Sequence, residues 1–536
     1  MSEPLQKTSP GAGPAPTGEP DGEFQHHLDP KRWWALAVIA VSQLMVVLDA
    51  TIVNIALPHA SAALHIAPND RQWLITAYAL PFGSLLLLGG RIADWVGRKR
   101  MLIVALCGFA IASAVGGAAQ EPWMLFAARA LQGVFGAIMA PAALALITVT
   151  FIEARERARA FAVFGAIAGG GSAIGLLLGG ILTSYVDWRW CLFVNIPIAA
   201  VALLAALPIL RESKAPTGDN YDVAGALLAT AGLASVVWGF TRAPLHTWGS
   251  VQTWGWLVGG VLLLALFVLV ESRSSSPLMP LRIIRNRNRA GAYIVGLFVG
   301  TGLFGMFLFL TYFVQGTLQF SPIKAGVAFL PFSLGVVIGA GVGSQLVLRV
   351  GARVMIPVGL VLGTLGLAWL GTIEAGSTYW GKVFPAELVI SVGMGFIFMS
   401  TTNVALVGVS PADAGVASAM VNTTQQIGGS LGTALLSTVA ANATTSYFFG
   451  HLPTGVTAAQ AGAAVPQLGA LAEGVQPSDP SVLQLLPTWG AANVHGYGMA
   501  FWWGSALFVV AAVASLLLIN AGRADLPQGE HSAAMV

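Results

Sequence analysis

Charged side chains are scarce in this chain of 536 residues. Asp, Glu, Lys and Arg together make up 9% of it, whereas a soluble globular domain carries roughly 25%. Hydrophobic residues reach 56%, and the mean hydropathy is +0.76. Too few charges remain to solvate a soluble protein of this length, which excludes an ordinary cytosolic enzyme and a disordered or collagen-like chain. The composition indicates an all-α, polytopic integral membrane protein.

Cysteine is also scarce, and its scarcity excludes further classes. Cys107 and Cys191 are too few for a disulfide framework or a thiolate metal cluster. The net charge is only +3, and no basic block with interleaved aromatic residues points to nucleic acid. The sequence contains no ATP-binding lysine loop, no metal-spaced His or Cys pair and no Ser-His-Asp arrangement. It therefore predicts no cofactor, no metal, no nucleic-acid partner and no enzymatic activity.

Long apolar runs are present instead, from Trp33 onward. They are about 18–26 residues long, enough to cross roughly 30 Å of hydrocarbon as a helix. Because each run is continuous and not alternating, helices are predicted and not strands. Fourteen spans are predicted, near 33–57, 73–90, 101–119, 124–149, 159–184, 190–210, 223–241, 255–271, 290–313, 325–348, 353–371, 383–408, 414–440 and 497–520.

The positive charges between the spans predict the orientation. With the N-terminus inside, the inner segments hold 19 Lys and Arg residues and the outer segments hold five. Inner loops of membrane proteins carry the excess of Lys and Arg. We therefore expect a multi-pass protein of the cytoplasmic (inner) membrane with both termini in the cytoplasm.

Short sequence matches recur along the chain at similar offsets. Gly170-Gly171-Ser172 recurs as Gly428-Gly429-Ser430, and Leu80-Pro81-Phe82 recurs as Leu330-Pro331-Phe332. Duplicated six-helix halves are an architecture of secondary transporters. The predicted organisation is a disordered cytoplasmic tail (1–30), an N-terminal six-helix bundle (31–210), an inserted two-helix linker (211–289), a C-terminal six-helix bundle (290–523) with an outer loop (441–496), and a second cytoplasmic tail (524–536).

Asp49 is an acidic residue inside the first predicted span, about 24 Å beyond Trp33 at 1.5 Å per residue. A carboxylate there costs roughly 2.5–3.5 kcal/mol on insertion scales, which makes it a functional candidate. Burial favours the protonated form, so Asp49 is a candidate proton carrier. The alternative is a structural Asp that is hydrogen-bonded to a neighbour such as Thr51 or Asn54.

Arg129 lies inside the fourth predicted span. A guanidinium stays charged, so Arg129 cannot carry the proton, but it can change how strongly a nearby carboxylate holds one. The alternative is a side chain that extends to the membrane interface.

Glu387 begins the twelfth predicted span, roughly one turn from the outer surface. It is a secondary candidate for a titrating site or a cation gate. The favoured alternative is an interfacial, hydrated glutamate.

The loop between the second and third spans places an acid between two glycines. Asp94 lies between Gly90 and Gly97, and Arg98 follows four residues after it. Glycine permits a tight turn and close helix approach. Asp94 can pair with Arg98 or with the N-terminal end of another helix. This contact is a candidate inner gate that locks one state and releases the other.

Glycines recur at a spacing of four in the fifth span, which includes Gly175, Gly179 and Gly180. Small residues at this spacing let helices pack backbone to backbone. The pattern is compatible with packing alone and with a hinge.

Several of these segments carry a family resemblance. The motif residues are Leu48 to Pro58 in the first span; Trp73, Thr76 and Tyr78 in the second; Gly90 to Arg100 in the inner loop; Arg129, Gln132, Gly133 and Pro141 in the fourth; Trp188 to Trp190 with Asn195 and Pro197 at the sixth; and Asn422, Gln425, Gly428, Gly429 and Gly432 in the thirteenth. Together they resemble the major facilitator superfamily, and within it the fourteen-span drug:proton antiporter family of bacterial multidrug exporters.

The resemblance implies a major-facilitator-type fold and a role for each motif. It implies that Asp49 and Arg129 couple transport to protons and that Gly90, Asp94, Gly97 and Arg98 form the inner gate. The polar motif residues are candidates for the substrate cavity, and these are Asn54, Gln132, Asn422 and Gln425.

Two departures from the family pattern stand out. Leu176 stands where the antiporter motif of the fifth span has Pro, so the expected kink is missing. In the second half, Leu348 and Ala352 stand where the inner-loop acid and arginine would repeat.

The leading hypothesis is a proton-coupled exporter of hydrophobic or amphipathic small molecules, such as drugs or antibiotics, that works by alternating access. Its expected partners are a small-molecule substrate, protons and the lipid bilayer. One alternative is a dedicated exporter of a single self-made metabolite, lipid or siderophore. A more distant one is a membrane sensor without transport.

Overall fold

The computed structural model of the chain describes residues 30–67, 70–151, 153–214, 222–246, 250–274, 277, 281–409, 414–471 and 480–522. Within these residues all regular structure is helical. Apart from Pro30, the predicted tails at 1–30 and 524–536 lie outside the described residues.

The N-terminal half consists of seven helices that correspond to the first six predicted spans. They are α1 (Arg32–Ala63), α2 (Trp73–Val96), α3 (Arg98–Gly117), α4 (Pro122–Thr150), α5 (Ala154–Tyr185), α6 (Trp190–Phe193) and α7 (Asn195–Ile209). Two helices follow, α8 (Val223–His246) and α9 (Val251–Arg273), and they pack against each other.

The C-terminal half repeats the plan with additional short elements. Its helices are α10 (Leu281–Arg285), α11 (Arg287–Tyr312), α12 (Pro322–Ala328), α13 (Leu330–Val350), α14 (Ala352–Leu370), α15 (Phe384–Leu406), α16 (Ala414–Gly450), α17 (Ala458–Leu471) and α18 (Leu486–Leu518). Two π turns, Phe313–Thr317 and Tyr379–Val383, and a 3-10 turn, Pro480–Leu485, complete it.

The number of membrane spans is lower than the predicted fourteen when helices are counted by length and apolarity. Over the described residues, eleven helices are long and apolar enough to cross a membrane, or up to twelve if the bent α2 is one span. The helices α5 and α16, of 32 and 37 residues, are not among them. The prediction of fourteen spans is therefore not confirmed.

The surface of the helices is apolar, as a lipid environment requires. Ile111, Leu204 and Leu262 are 65%, 68% and 64% exposed. Most of the polar side chains inside the spans face inward, and Asp49, Arg129 and Gln132 are all at most 2% exposed. This inverted distribution is typical of a membrane protein with a polar interior.

Helices occupy much of the segment 441–496, for which the sequence predicts an outer loop. The helix α16 continues to Gly450 and α18 already begins at Leu486, with α17 between them. Phe448, Leu468 and Leu485 form a small apolar core that joins these elements. The low charge of this segment thus reflects a folded helical extension.

The two halves repeat one detail that locks their third helices. Gly97 (φ +126°) breaks the chain between α2 and α3, and Gly351 (φ +82°) does the same between α13 and α14. A backbone N–H near each glycine, that of Arg98 one residue on and that of Arg353 two residues on, donates to a carbonyl just beyond the last helix of its half, that of Ser213 (3.0 Å) and that of Ala521 (3.2 Å). This equivalence supports the internal repeat.

Polar contacts join the two halves near the end where α5 finishes and α12 begins. Gln315 Nε2 donates to the Ile55 carbonyl (3.0 Å), and the Ile323 backbone N–H donates to Ser184 Oγ (3.0 Å). The hydroxyls of Thr76 and Thr433 share a buried 2.8 Å hydrogen bond. This end of the bundle, the predicted outer side, is closed by direct contact between the halves.

We predict that Gly97→Ala destabilises the folded protein by about 1–3 kcal/mol, because an alanine rarely adopts a φ of +126°. The measurement is the free energy of unfolding of the purified protein in detergent. Gly255→Ala is the matched control, since Gly255 is helical and exposed and an added Cβ meets nothing within 4 Å. Equal stability of the two variants would contradict the prediction.

Candidate functional site

A buried ion pair between α1 and α4 lies at the centre of the N-terminal half. Asp49 is the eighteenth of the 32 residues of α1, and its Oδ2 accepts a 2.5 Å hydrogen bond from Arg129 Nη1 of α4. Their side chains are 0% and 2% exposed. The two ionisable residues singled out deep in the predicted spans are therefore direct partners.

Side-chain amides complete the shell of the Asp49 carboxylate. Its Oδ1 accepts hydrogen bonds from Gln132 Nε2 and from Asn195 Nδ2, both at 2.8 Å. Gln132 Nε2 also donates to Ser113 Oγ (2.8 Å), while its Oε1 accepts from Arg129 Nη1 (2.9 Å). The cluster thus links α1, α3, α4 and α7 through buried polar groups.

Arg129 is held by two further groups on α2. Its Nε donates to the carbonyl of Leu74 (3.1 Å), and its guanidinium lies 4.5 Å from the centre of the Tyr78 ring. A guanidinium over an aromatic face is attracted by the ring quadrupole. These contacts explain how Arg129 remains charged away from water.

The geometry ties the charge of Asp49 to the arrangement of the helices. Both carboxylate oxygens already accept hydrogen bonds from Arg129, Gln132 and Asn195. A proton on Asp49 would weaken its ion pair with a guanidinium that stays charged. The charge of Asp49 and the contacts of α1 with α4 and α7 are therefore linked.

Asp49 is hydrogen-bonded to neighbouring helices, as its structural alternative has it, but the specific contacts named for the two residues do not form. Arg129 does not extend to an interface, since it is 2% exposed. Asp49 does not bond Thr51 or Asn54, because Thr51 Oγ1 donates to the Val47 carbonyl (2.9 Å) and Asn54 Nδ2 donates weakly to the Ala50 carbonyl (3.4 Å).

Only one of the four candidate cavity residues joins this cluster, and it is Gln132. Asn54 is 8% exposed and bonds its own helix. On α16, Asn422 is exposed and Gln425 is half-buried. Their place in a substrate cavity stays a prediction.

The candidate inner gate is assembled between α2 and α3. Arg98 Nε donates to Asp94 Oδ1 at 2.8 Å, which is the first of the two pairings foreseen for Asp94. Gly97 provides the positive φ between them, and an added Cβ at Gly90 would touch the Pro141 ring at 3.3 Å.

Glu212 is a part of this region that the sequence did not reveal. Its carboxylate accepts from the backbone N–H groups of Lys99 (3.2 Å) and Arg100 (3.1 Å), at the N-terminus of α3. A carboxylate is stabilised at this end of a helix by the free N–H groups and the helix dipole. The equivalent position in the second half is Asn520, so this acid occurs in one half only.

The glycines of α5 pack against two different partners. A Cβ at Gly179 would lie 2.8 Å from the Ile52 carbonyl of α1, and Gly175 approaches Thr51 of the same helix. A Cβ at Gly180 would instead lie 2.8 Å from Ile323 Cα, in the other half of the protein. Leu176, which replaces the expected Pro, is fully buried, and α5 runs unbroken through it.

The favoured alternative for Glu387, an interfacial and hydrated glutamate, is wrong. Glu387 is 0% exposed, and neither carboxylate oxygen has a hydrogen-bond partner among the described residues. Glu271, at the end of α9, is also buried (3% exposed).

Other members of the ion-pair cluster differ in how far the sequence could reveal them. Asn195 is a polar residue that opens a strongly apolar helix, and this contrast is a usable signal. Ser113 has no such signal, because a serine in a membrane helix usually bonds its own backbone. Among the described residues no group of three or more His, Cys, Asp or Glu side chains could hold a metal ion.

The fold and the site together define a membrane transporter built from two repeated helical halves. The sequence profile of the Major Facilitator Superfamily matches residues 39–433, and the chain belongs to this family. It is a multi-span transporter and not an enzyme. The predicted resemblance and the predicted fold class are therefore confirmed, the number of spans apart.

Named relatives extend over most of the chain. It is 47% identical, over 79% of its length and 84% of the relative's, to the puromycin resistance protein pur8 of Streptomyces alboniger. It is 38% identical, over 76% of its length and 85% of the relative's, to the cephamycin export protein CmcT of Amycolatopsis lactamdurans. A solved bacterial homologue of the human lysosomal transporter Spinster shares the fold, with a TM-score of 0.63, 15% identity and coverage of 93% and 99% of the two chains.

We predict that Asp49→Asn and Arg129→Gln each lower the free energy of unfolding by about 3–5 kcal/mol, because each leaves one buried charge without its counter-charge. The double variant should lose much less than the sum of the two. Unfolding of the purified proteins in detergent measures this, with the exposed Glu374→Gln as the control. Additive losses would show that the two charges do not depend on each other.

Proposed function

We propose that the chain is a proton-coupled exporter of hydrophobic or amphipathic small molecules, antibiotics among them. It works by alternating access across the cytoplasmic membrane, with both termini in the cytoplasm. The observation that carries the proposal is the buried Asp49–Arg129 pair, whose carboxylate is shielded from water and held by donors on α4 and α7.

The choice of cargo rests on the relatives. Two proteins similar over more than three quarters of the chain are named for puromycin resistance and for cephamycin export. The apolar interior of the two halves suits molecules with a large hydrophobic part.

The coupling follows from the geometry of the site. In the present arrangement the halves touch at the predicted outer side, and the Asp49 carboxylate accepts hydrogen bonds from Arg129, Gln132 and Asn195. When the outer side opens, α1 and α4 shift, a proton from outside binds Asp49, and Arg129 changes acceptors. Loss of the carboxylate charge then favours release of the substrate outward.

A dedicated exporter of one compound is the second candidate. Each of the two relatives is named for a single antibiotic, which favours a dedicated exporter. The two functions differ in the breadth of the cargo and not in the coupling.

We predict that efflux-deficient bacteria that express the protein tolerate several unrelated amphipathic inhibitors better than cells with an empty vector, and that Asp49→Asn abolishes the difference. Puromycin and a cephamycin belong in the panel, and minimal inhibitory concentrations are the measurement. Glu374→Gln, a change of the same size on the exposed outer side, should behave as wild type.

The outcomes separate the candidates. Protection against a single chemical class favours the dedicated exporter. If cells that express Asp49→Asn are fully protected, with expression verified and a proton gradient present, the proton-coupled mechanism is contradicted. Inverted vesicles with a pH-sensitive dye inside give the direct test, since addition of a transported compound should release protons from wild-type vesicles only.

A further inference from the structure

Glu387 is a buried acid that the Asp49–Arg129 site does not use. It lies in the first turn of α15 with 0% exposure, and Oε1 and Oε2 have no hydrogen-bond partner among the described residues. Its neighbours along the helix, Ala386 and Ile390, belong to the apolar core. A carboxylate without a partner is very costly in such a place, and the usual outcome is that the group takes up a proton and becomes neutral.

The internal repeat relates the position of Glu387 to a position in the first half. Gly89 and Gly343 each lie eight residues before the glycine that ends α2 or α13. A Cβ at Gly89 would lie 2.9 Å from Ile138 Cα, and one at Gly343 would lie 3.5 Å from Phe396 Cα. The helices α4 and α15 therefore cross their partners at equivalent points.

Counting back nine residues from each crossing point gives Arg129 in α4 and Glu387 in α15. By this count Glu387 lies within about one turn of the position in the second half that corresponds to Arg129. The second half holds an acid there, with no counter-charge.

A cleft opens beside the π turn that precedes α15. It has a volume of about 600 Å³ and lies between α12, the start of α13 and the π turn before α15. Lys324, Pro331, Tyr379 and Trp380 are among its lining residues.

Tyr379 is close both to the cleft and to Glu387. Its ring lines the cleft, its hydroxyl donates to the Ala328 carbonyl (2.8 Å), and it lies within electrostatic range of Glu387. Gly335 of α13 packs against Ser391 of α15. One helical turn earlier in each helix, Pro331 of α13 and Glu387 of α15 therefore lie at about the same level. A short layer of side chains therefore separates the carboxyl from the cleft.

Other charged groups on the elements packed against α15 do not neutralise Glu387. On the π turn, Lys382 Nζ donates to Thr372 Oγ1 (2.9 Å). The remaining titratable side chains on these elements lie toward their ends, and they are Arg287, Arg289, Tyr293 and Tyr312 on α11, Arg349 on α13, Arg353 on α14 and Tyr447 on α16. None of them is a described hydrogen-bond or ion-pair partner of Glu387.

We propose that Glu387 is a second proton-binding site, loaded from the outer side through this cleft and occupied by a proton in the present conformation. The proton forms an O–H bond with one carboxyl oxygen, and the reverse step returns the carboxylate. The role of this proton in export rests on the function proposed above, whereas its presence on Glu387 does not.

The first test detects the proton itself. Infrared difference spectra of the purified protein in detergent, recorded across a pH titration, should contain the C=O band of a buried protonated carboxyl group. Glu387→Gln should remove this band, and the exposed Glu374→Gln should leave it in place. The measurement needs no substrate, so it succeeds or fails independently of any export activity. A band unchanged in Glu387→Gln would overturn the proposal.

The second test determines the side from which the proton arrives. Dicyclohexylcarbodiimide modifies protonated carboxyl groups in apolar surroundings, and peptide mass spectrometry locates the product. In intact cells with a constant cytoplasmic pH, modification of Glu387 should decrease several-fold when the medium changes from mildly acidic to mildly alkaline. Glu387→Gln, which has no carboxyl group at this position, is the negative control. Modification of Glu387 that does not depend on the external pH would contradict loading of the proton from outside.

Discussion

The ion pair of Asp49 and Arg129 is the constraint on which the organisation of the N-terminal half depends. Neither charge has access to water, so each must find its partners within the protein. The requirement draws α1 and α4 together and recruits the Gln132 and Asn195 amides from α4 and α7. Helices that share a charge cluster in an apolar medium cannot slide independently. We therefore expect a change in the charge of Asp49 to alter how these helices pack.

The two halves share a helix arrangement but bury different charged groups. Gly97 and Gly351 break equivalent helices and expose equivalent N–H groups. Near the position where the first half has Arg129 with a paired carboxylate, the second half has the unpaired Glu387. The first cluster is neutral because two opposite charges meet, and the second is neutral when one acid keeps its proton. Repetition thus conserves geometry while the sign of the buried group is free to change.

Composition and spacing were enough to predict the helices, the repeat and the two residues of the ion pair. Asp49 and Arg129 could be singled out because charge inside an apolar run is costly wherever the chain folds. The burial of Glu387 could not be predicted from its distance to a helix end, because the π turn with Tyr379 covers that end. The helices of the segment 441–496 could not be predicted for a related reason, because an Ala- and Gly-rich stretch with few charges gives no sign of its small apolar core.

The closure between the halves is built from contacts that separate at little cost. At Gly180 and Gly326 backbone meets backbone across the interface, with Leu176 buried beside them. Few hydrogen bonds accompany these contacts among the described residues, chiefly those of Gln315 and Ser184. A proline at Leu176 would concentrate bending within α5, whereas the observed helix is continuous. In the proposed cycle whole halves move about these small-residue contacts, and a separate shift of α4 against α1 within the N-terminal half frees the Asp49 carboxylate.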